Sequence, residues 1–245
     1  MFIGIGTPIP TIANLPGSSR PGGGSGGGGG GLDQIANNYS MELNGIDENF
    51  VSPIPGSFFS KSNSWSLSCW VQCDGRTTTK GIFGNTSNAS GIRLRSLNSG
   101  SPVFGIKFDF NMVGTGTWNS YYLGVISSDY VWSNSTWYHI VVTYDGSSTG
   151  AGLKMYVNNN LTTSGSSDFT ISDCVSSYDF AIGTLKPSYG GGHDGRMDEV
   201  GIWNTALGAT EITEIYNSGT PTALDTDSGN YTSSEDLKAW YRMGD

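Results

Sequence analysis

From residue 38 onward the sequence is cut every 8 to 12 residues by Gly, Asn, Asp, Ser or Pro, and between the cuts lie short runs alternating apolar and polar residues. That rhythm excludes long helices and dictates a two-layer all-β body, because each strand has one apolar face to bury. Twelve runs qualify: YSMELNG, SWSLSCWVQC, KGIFGN, GIRLRSL, PVFGIKFDF, YYLGVIS, WYHIVVTYDG, LKMYVNN, DFTIS, DFAIGTL, GRMDEVGIWN and LKAWYRMG. In SWSLSCWVQC, Trp65, Leu67, Cys69 and Val71 share one face, and Ser66, Ser68, Trp70 and Gln72 the other. In GLKMYVNNN the inward set is Leu153, Met155 and Val157, and the asparagines make a hairpin turn. Trp65, Trp137 and Trp203 are assigned to the core.

One short helix interrupts the pattern. LGATEITEIYNSG offers Gly208 as N-cap with Glu211 three residues later, an apolar stripe of Ile212, Ile215 and Tyr216, and Gly219 with Pro221 to close it.

The first 31 residues obey other rules. Residues 1–20 carry Phe2, Ile3, Ile5 and Ile9 among glycines, with Pro8 and Pro10 barring a helix and Ile12 and Leu15 completing an apolar, extended arm. Residues 21–31, PGGGSGGGGGG, read as a flexible linker. The expected organisation is therefore an anchoring arm at 1–20, a linker at 21–31 and one domain at 32–245. The arm lacks the positive start of a signal peptide and is read as retained.

Only 13% of residues are charged, and 21 acidic against 12 basic residues give a net charge of −9. Without a basic cluster, nucleic acid is excluded as an expected partner. No apolar run reaches the ~18 residues of a membrane span. Of the three cysteines, Cys69 and Cys73 would lie about 13 Å apart on one strand and cannot bridge each other. Cys174 is left to pair with either one or, with them, to stay a free thiol.

The ordered series WYHIVVTYDG, LKMYVNNN, FAIGTL and DGRMDEVGIWNTALGATEITEIYNSG resembles the laminin-G-like branch of the concanavalin A-like lectin/glucanase jelly rolls, over roughly residues 38 to 220. The resemblance implies an antiparallel two-sheet jelly-roll sandwich with ligand loops along one rim. LKAWYRMGD is similar to a segment that usually precedes such a domain, which would place it beside the first strand at a sheet edge.

Glucanase relatives use a Glu-x-Asp-x-x-Glu strand motif to hold two carboxylates at hydrolytic separation. That string is absent, and Asp198 and Glu199 are neighbours expected on opposite strand faces. His139 and His193 have neither a nucleophile elbow nor zinc spacing, and His139 reads as a core histidine. The expectation is a protein that is not an enzyme. By resemblance, Asn44, Asp47 and Asp198 are candidate ligands of a structural Ca²⁺. Aromatic residues in loops suit glycans, since sugar C–H faces stack on rings; the candidates are Trp118, Tyr121 and Tyr122, then Tyr130 and Trp132, then Tyr189 with His193.

The start MFIGIGTPIP is also similar to the N-termini of marine bacteriophage structural proteins. The resulting expectation is a virion surface protein, a capsid decoration or fibre component made in the host cytoplasm. Its arm would dock on a capsid or tail protein of the same particle, in multiple copies or as a homo-oligomer. A carbohydrate-binding adhesin for host-surface glycans and a glycoside hydrolase are the alternatives.

Overall fold

The computed structural model describes residues 37–74, 80–85, 91–98, 104–111, 122–127, 133–164, 178–186 and 191–243, with backbone alone for 97–98, 104–111, 122–127 and 163–164. Cys174, the DFTIS run and the arm lie outside the described residues.

The described strands are β1 (Met41–Asn44), β2 (Phe50–Val51), β3 (Trp65–Cys73), β4 (Lys80–Gly84), β5 (Gly91–Asn98), β6 (Phe104–Asn111), β7 (Tyr122–Ser127), β8 (Trp137–Tyr144), β9 (Leu153–Val157), β10 (Asn160–Ser164), β11 (Ala181–Ile182), β12 (Asp194–Trp203) and β13 (Leu237–Tyr241). They form two antiparallel sheets. One runs β1-β12-β3-β8-β9-β10 with β13 also on β12; the other runs β2-β11-β4-β5-β6-β7. This is the expected jelly-roll sandwich. β13 pairs Val200–Trp203 while β1 pairs Asp194–Met197, so LKAWYRMGD does lie beside the first strand along one edge.

The alternation read from β3 decides the packing. Trp65, Leu67, Cys69 and Val71 enter the core between the sheets, joined by Leu153, Met155 and Val157 from β9. Asn158 and Asn159 take positive φ of 48° and 65°, the turn their run predicted. Cys69 is a buried free thiol, and Cys73 is buried on the same face.

The outward face of β3 is not solvated. Ser66, Ser68, Trp70 and Gln72 are all buried, because a second, smaller core covers much of that face. Its lid is α1 (Ala209–Tyr216), which lowers Ile212 and Ile215 onto a cluster with Val141, Tyr156 and Trp203. Glu211 Oε2 accepts the Gly208 N–H at 3.0 Å, the cap the sequence predicted. The helix stops one turn before Gly219, where Asn217 and Ser218 adopt left-handed φ of 42° and 53°. Within the same lid, Tyr231 takes the Trp203 Nε1 proton at 2.9 Å and donates to the Leu224 carbonyl at 2.6 Å.

Where β12 passes residue 199 it bulges away from β3, and Glu199 sits at φ 48°. Its buried carboxylate accepts Asn37 Nδ2 at 3.2 Å and Trp240 Nε1 at 2.5 Å, and pairs with Arg242 Nε at 3.6 Å. One side chain thus ties the first described residue of the domain to its last strand.

Candidate functional site

Antiparallel register brings four side chains into one row across the outer face of the seven-stranded sheet. Glu42 on β1 faces Arg196 on β12, Arg196 faces Gln72 on β3, and Gln72 faces Trp137 on β8. All lie on the side opposite the core because their neighbours Leu43, Met197, Val71 and Tyr138 point inward. Gly195 lets β12 approach closely here: at φ +140°, a Cβ would fall 2.1 Å from the Gln72 carbonyl.

The row is polar at one end and aromatic at the other. Arg196 Nη1 donates to Gln72 Oε1 at 3.0 Å, which fixes the guanidinium plane. Its Nη2 stands 3.8 Å from Glu42 Oε2, an ion pair too long for a hydrogen bond. Trp137 is only half-buried, whereas the next seven residues of β8 are buried. Two strand spacings, about 10 Å, separate Trp137 from Arg196.

The next row inward is closed. Trp70 and His139 face each other across β3 and β8, and Tyr216 of α1 lies over both, with ring centroids 6.0 and 5.8 Å away. His139 bonds Ser68 Oγ through Nε2 at 2.8 Å, its Nδ1 is buried without a hydrogen-bond partner, and burial pushes its pKa down to about 3. It is a neutral core histidine, as the sequence suggested.

The sequence-predicted site residues scatter. Trp118, Tyr121, Tyr130, Trp132 and Tyr189 lie outside the described residues, and of Tyr122 only the backbone is described, opposite Asn111. The strand ends that flank these residues lie at two opposite ends of the sandwich. Asn111 and Tyr122 flank segment 112–121 at the Gly84–Gly91 end, whereas Ser133 and Gly191 follow segments 128–132 and 187–190 at the Lys80–Asp194 end. His193 is removed from the glycan set: it is fully buried, one ring nitrogen on the Gln72 carbonyl at 2.8 Å, with its pKa lowered chiefly by burial.

The three Ca²⁺ candidates do not converge on one ion. Asn44 Oδ1 is engaged by the Ile46 and Asp47 N–H groups, and its Nδ2 donates to Asp47 at 3.0 Å. Asn44 is paired with Asp194, while Asp198 is buried four residues, about 13 Å, further along β12. The Lys80 ammonium donates to the Gly45 carbonyl in that turn at 2.7 Å, placing a positive charge where an ion would need oxygen ligands. Among the described residues no three His, Cys, Asp or Glu side chains form a metal-holding group. Nor do Asp198 and Glu199 resemble a hydrolytic pair: both are buried, Asp198 Oδ1 accepts the Glu199 N–H at 2.8 Å, and Glu199 is committed to its three partners.

A family model for the concanavalin A-like lectin/glucanases superfamily, of the Laminin_G_3 type, matches residues 47–213. The chain belongs to this superfamily. No curated protein matches it. Among solved structures, it is similar to domain 4 of AbnA, a GH43 extracellular arabinanase from Geobacillus stearothermophilus, in complex with arabinotriose: 21% identity, 77% of this chain and 82% of that one, TM-score 0.53. The enzymatically active domain of tailspike protein 2 from bacteriophage CBA120 shares 10% identity at TM-score 0.61 over 92% of this chain and 35% of that one. The CBM40 of a Ruminococcus gnavus sialidase, bound to α2,3-sialyllactose, shares 12% identity at TM-score 0.50, with 72% and 95% covered. Proteins similar to this chain in fold thus include a domain solved with arabinotriose, a sialyllactose-bound CBM40 and the enzymatically active domain of a tailspike.

Sequence reasoning missed Glu42, Arg196, Gln72 and Trp137 as a group. The signal was present for two of them: the β3 alternation faces Gln72 outward, and alternation through WYHIVV puts Trp137 on the His139 side rather than in the core to which it was assigned.

Proposed function

We propose that the chain is a non-enzymatic glycan-binding module whose sugar lies across the Glu42–Arg196–Gln72–Trp137 row. The single observation behind this reading is the register that lines up a half-buried indole, a buried amide that fixes a guanidinium, and the ion pair of that guanidinium with an exposed carboxylate on one strip of sheet. A sugar ring offers one C–H face to an indole and vicinal hydroxyls that donate to a carboxylate while accepting from a guanidinium. The carbohydrate complexes among the structural relatives support the class of ligand.

The module is carried on a virion surface, as a capsid decoration or fibre component, by docking of its N-terminal arm on a particle protein. Asn37, the first described residue of the body, is bonded to Glu199, five residues or about 16 Å along β12 from the Asp194 end. Docking there leaves the polar row free, and several copies would add avidity to a weak site.

A glycan array probed with the full chain, with and without Ca²⁺, followed by titration of the best sugar, tests the reading. Trp137→Ala is expected to weaken binding at least about tenfold, ~1.4 kcal/mol. Unchanged affinity in Trp137→Ala and Arg196→Ala would overturn it. Failure of a 1–31 deletion to change particle incorporation would overturn the docking role.

A further inference from the structure

Among the described residues, the six-stranded sheet ends on β2, whose only neighbour there is β11. Ser52 gives its N–H to Phe180 at 2.7 Å, so by the alternation of an antiparallel ladder the N–H and C=O of Val51 point to the open side. An edge of this kind is a template for another strand, and sheets ordinarily charge it or cover it. Here it is apolar: Phe50 is 40% and Val51 43% exposed, and Ile46 in the preceding turn is 65% exposed. Of the six large apolar side chains exposed among the described residues, four fall between residues 39 and 51.

The point where the arm joins the body is beside this edge. Asn37 is held on Glu199, the next residue of β12 pairs with Tyr241, and the Tyr241 ring packs edge-on against Phe50 at 5.1 Å. Tyr241 also bonds Ser52 Oγ at 2.7 Å, tying that corner to β2 itself. Three successive contacts, Asn37 to Glu199, Val200 to Tyr241 and Tyr241 to Phe50, thus lead from Asn37 to β2. The 31 residues between Ile5 and Asn37, glycine-rich at 22–31, have a root-mean-square reach of roughly 31 Å.

We propose that in the free protein residues 2–5 of the same chain add to β2 as an extra strand. In FIGI, Ile3 and Ile5 share one face and Phe2 takes the other, matching an edge on which Phe50 and Val51 also present opposite faces. Pro8 and Pro10, which lack N–H groups, then follow the short paired stretch, where an edge tolerates them. The tether supplies a local concentration in the millimolar range, so the intramolecular partner outcompetes a second copy in dilute solution. The segment that docks on a particle is thus the one that caps the open edge beforehand, and the idea stands independently of any sugar on the outer face.

Amide exchange measured by NMR on the full chain, without ligand, tests it. The Val51 amide is expected to be protected in the parent and to exchange at least tenfold faster in the full-length Ile3→Asp/Ile5→Asp variant, while core amides of β3 and β8 keep their rates. Protection must not change between low and high protein concentration. Concentration-dependent protection would make a second copy the occupant, and a Val51 amide that exchanges freely in both proteins would leave the edge uncovered; either result overturns the proposal.

Discussion

His139 makes the stability of this domain depend on acid in a calculable way. The ring is 2% exposed and wedged between Trp70, 4.9 Å away centroid to centroid, and Tyr216. Burial lowers its pKa from 6.5 to about 3. Between those values the unfolded chain binds a proton that the folded one refuses, so stability is complete above pH 6.5, falls as pH drops, and levels off below about 3. The loss amounts to about 1.4 kcal/mol per pH unit, or about 2.7 kcal/mol by pH 4.5. His193, also depressed by burial, adds loss of the same sign. His139→Phe retains a ring against Trp70 but leaves the buried Ser68 hydroxyl without its partner, costing about 1–3 kcal/mol at pH 7.5. Urea unfolding at steps from pH 7.5 to 4.5 should therefore show the variant less stable at the top of the range and the two curves converging toward the bottom. Parallel curves would refute the neutral buried histidine.

Tyr231→Phe strips the proton acceptor from Trp203 and the donor from the Leu224 carbonyl under the helical lid, for an expected loss of about 3 kcal/mol with an unchanged denaturant slope. In the parent, burial pushes the Tyr231 phenol up to about 12 and also raises Tyr156 and Tyr241, so an alkaline absorbance titration should show a group of tyrosines ionising late, reduced by one in Tyr231→Phe. Glu199→Gln removes the charge facing Arg242 yet keeps one amide oxygen for Trp240 or Asn37; since Arg242 is 29% exposed, the expected cost is about 2 kcal/mol, read by urea unfolding together with faster amide exchange at residues 37–40.

The fold was legible because sandwich strands announce themselves locally. The inward and outward sets of β3 and β9, the Asn158–Asn159 turn and the Glu211 cap all depend on residues a few positions apart. β2 and β10 were not among the expected strands: β2 is two residues long and pairs only with β11 among the described strands, and β10 is NLTTS, of which only Asn160 had been assigned to the turn. The site was far less legible, since its members come from four strands and meet through register, which no local pattern reveals. His193 illustrates the converse error. In SYGGGHDG it looks like a loop residue, but the glycines before it let the chain descend against Gly183, and the ring ends beneath the surface. The left-handed Glu199 is likewise a product of tertiary contacts, because it is held by residues 162 positions earlier and 41 later.

The short helix decides where a ligand can lie. Without α1, the outer face of the seven-stranded sheet would expose Trp70, Val141, Tyr156 and Trp203, an apolar surface fit for another protein layer rather than for a hydroxyl-rich ligand. Eight residues cannot sustain a helix in water, so the lid persists only while Ile212 and Ile215 stay seated, and its extent is set by that cluster. Tyr216, its last residue, reaches the Trp70–His139 row and no further. In the row beyond, Gln72 is still buried while Trp137 and Arg196 are half-buried and Glu42 is exposed, and there the sheet changes from apolar to polar. The strip proposed to face a sugar and the band covered by α1 are consecutive bands of one surface, so the band occupied by Tyr216 borders the proposed one.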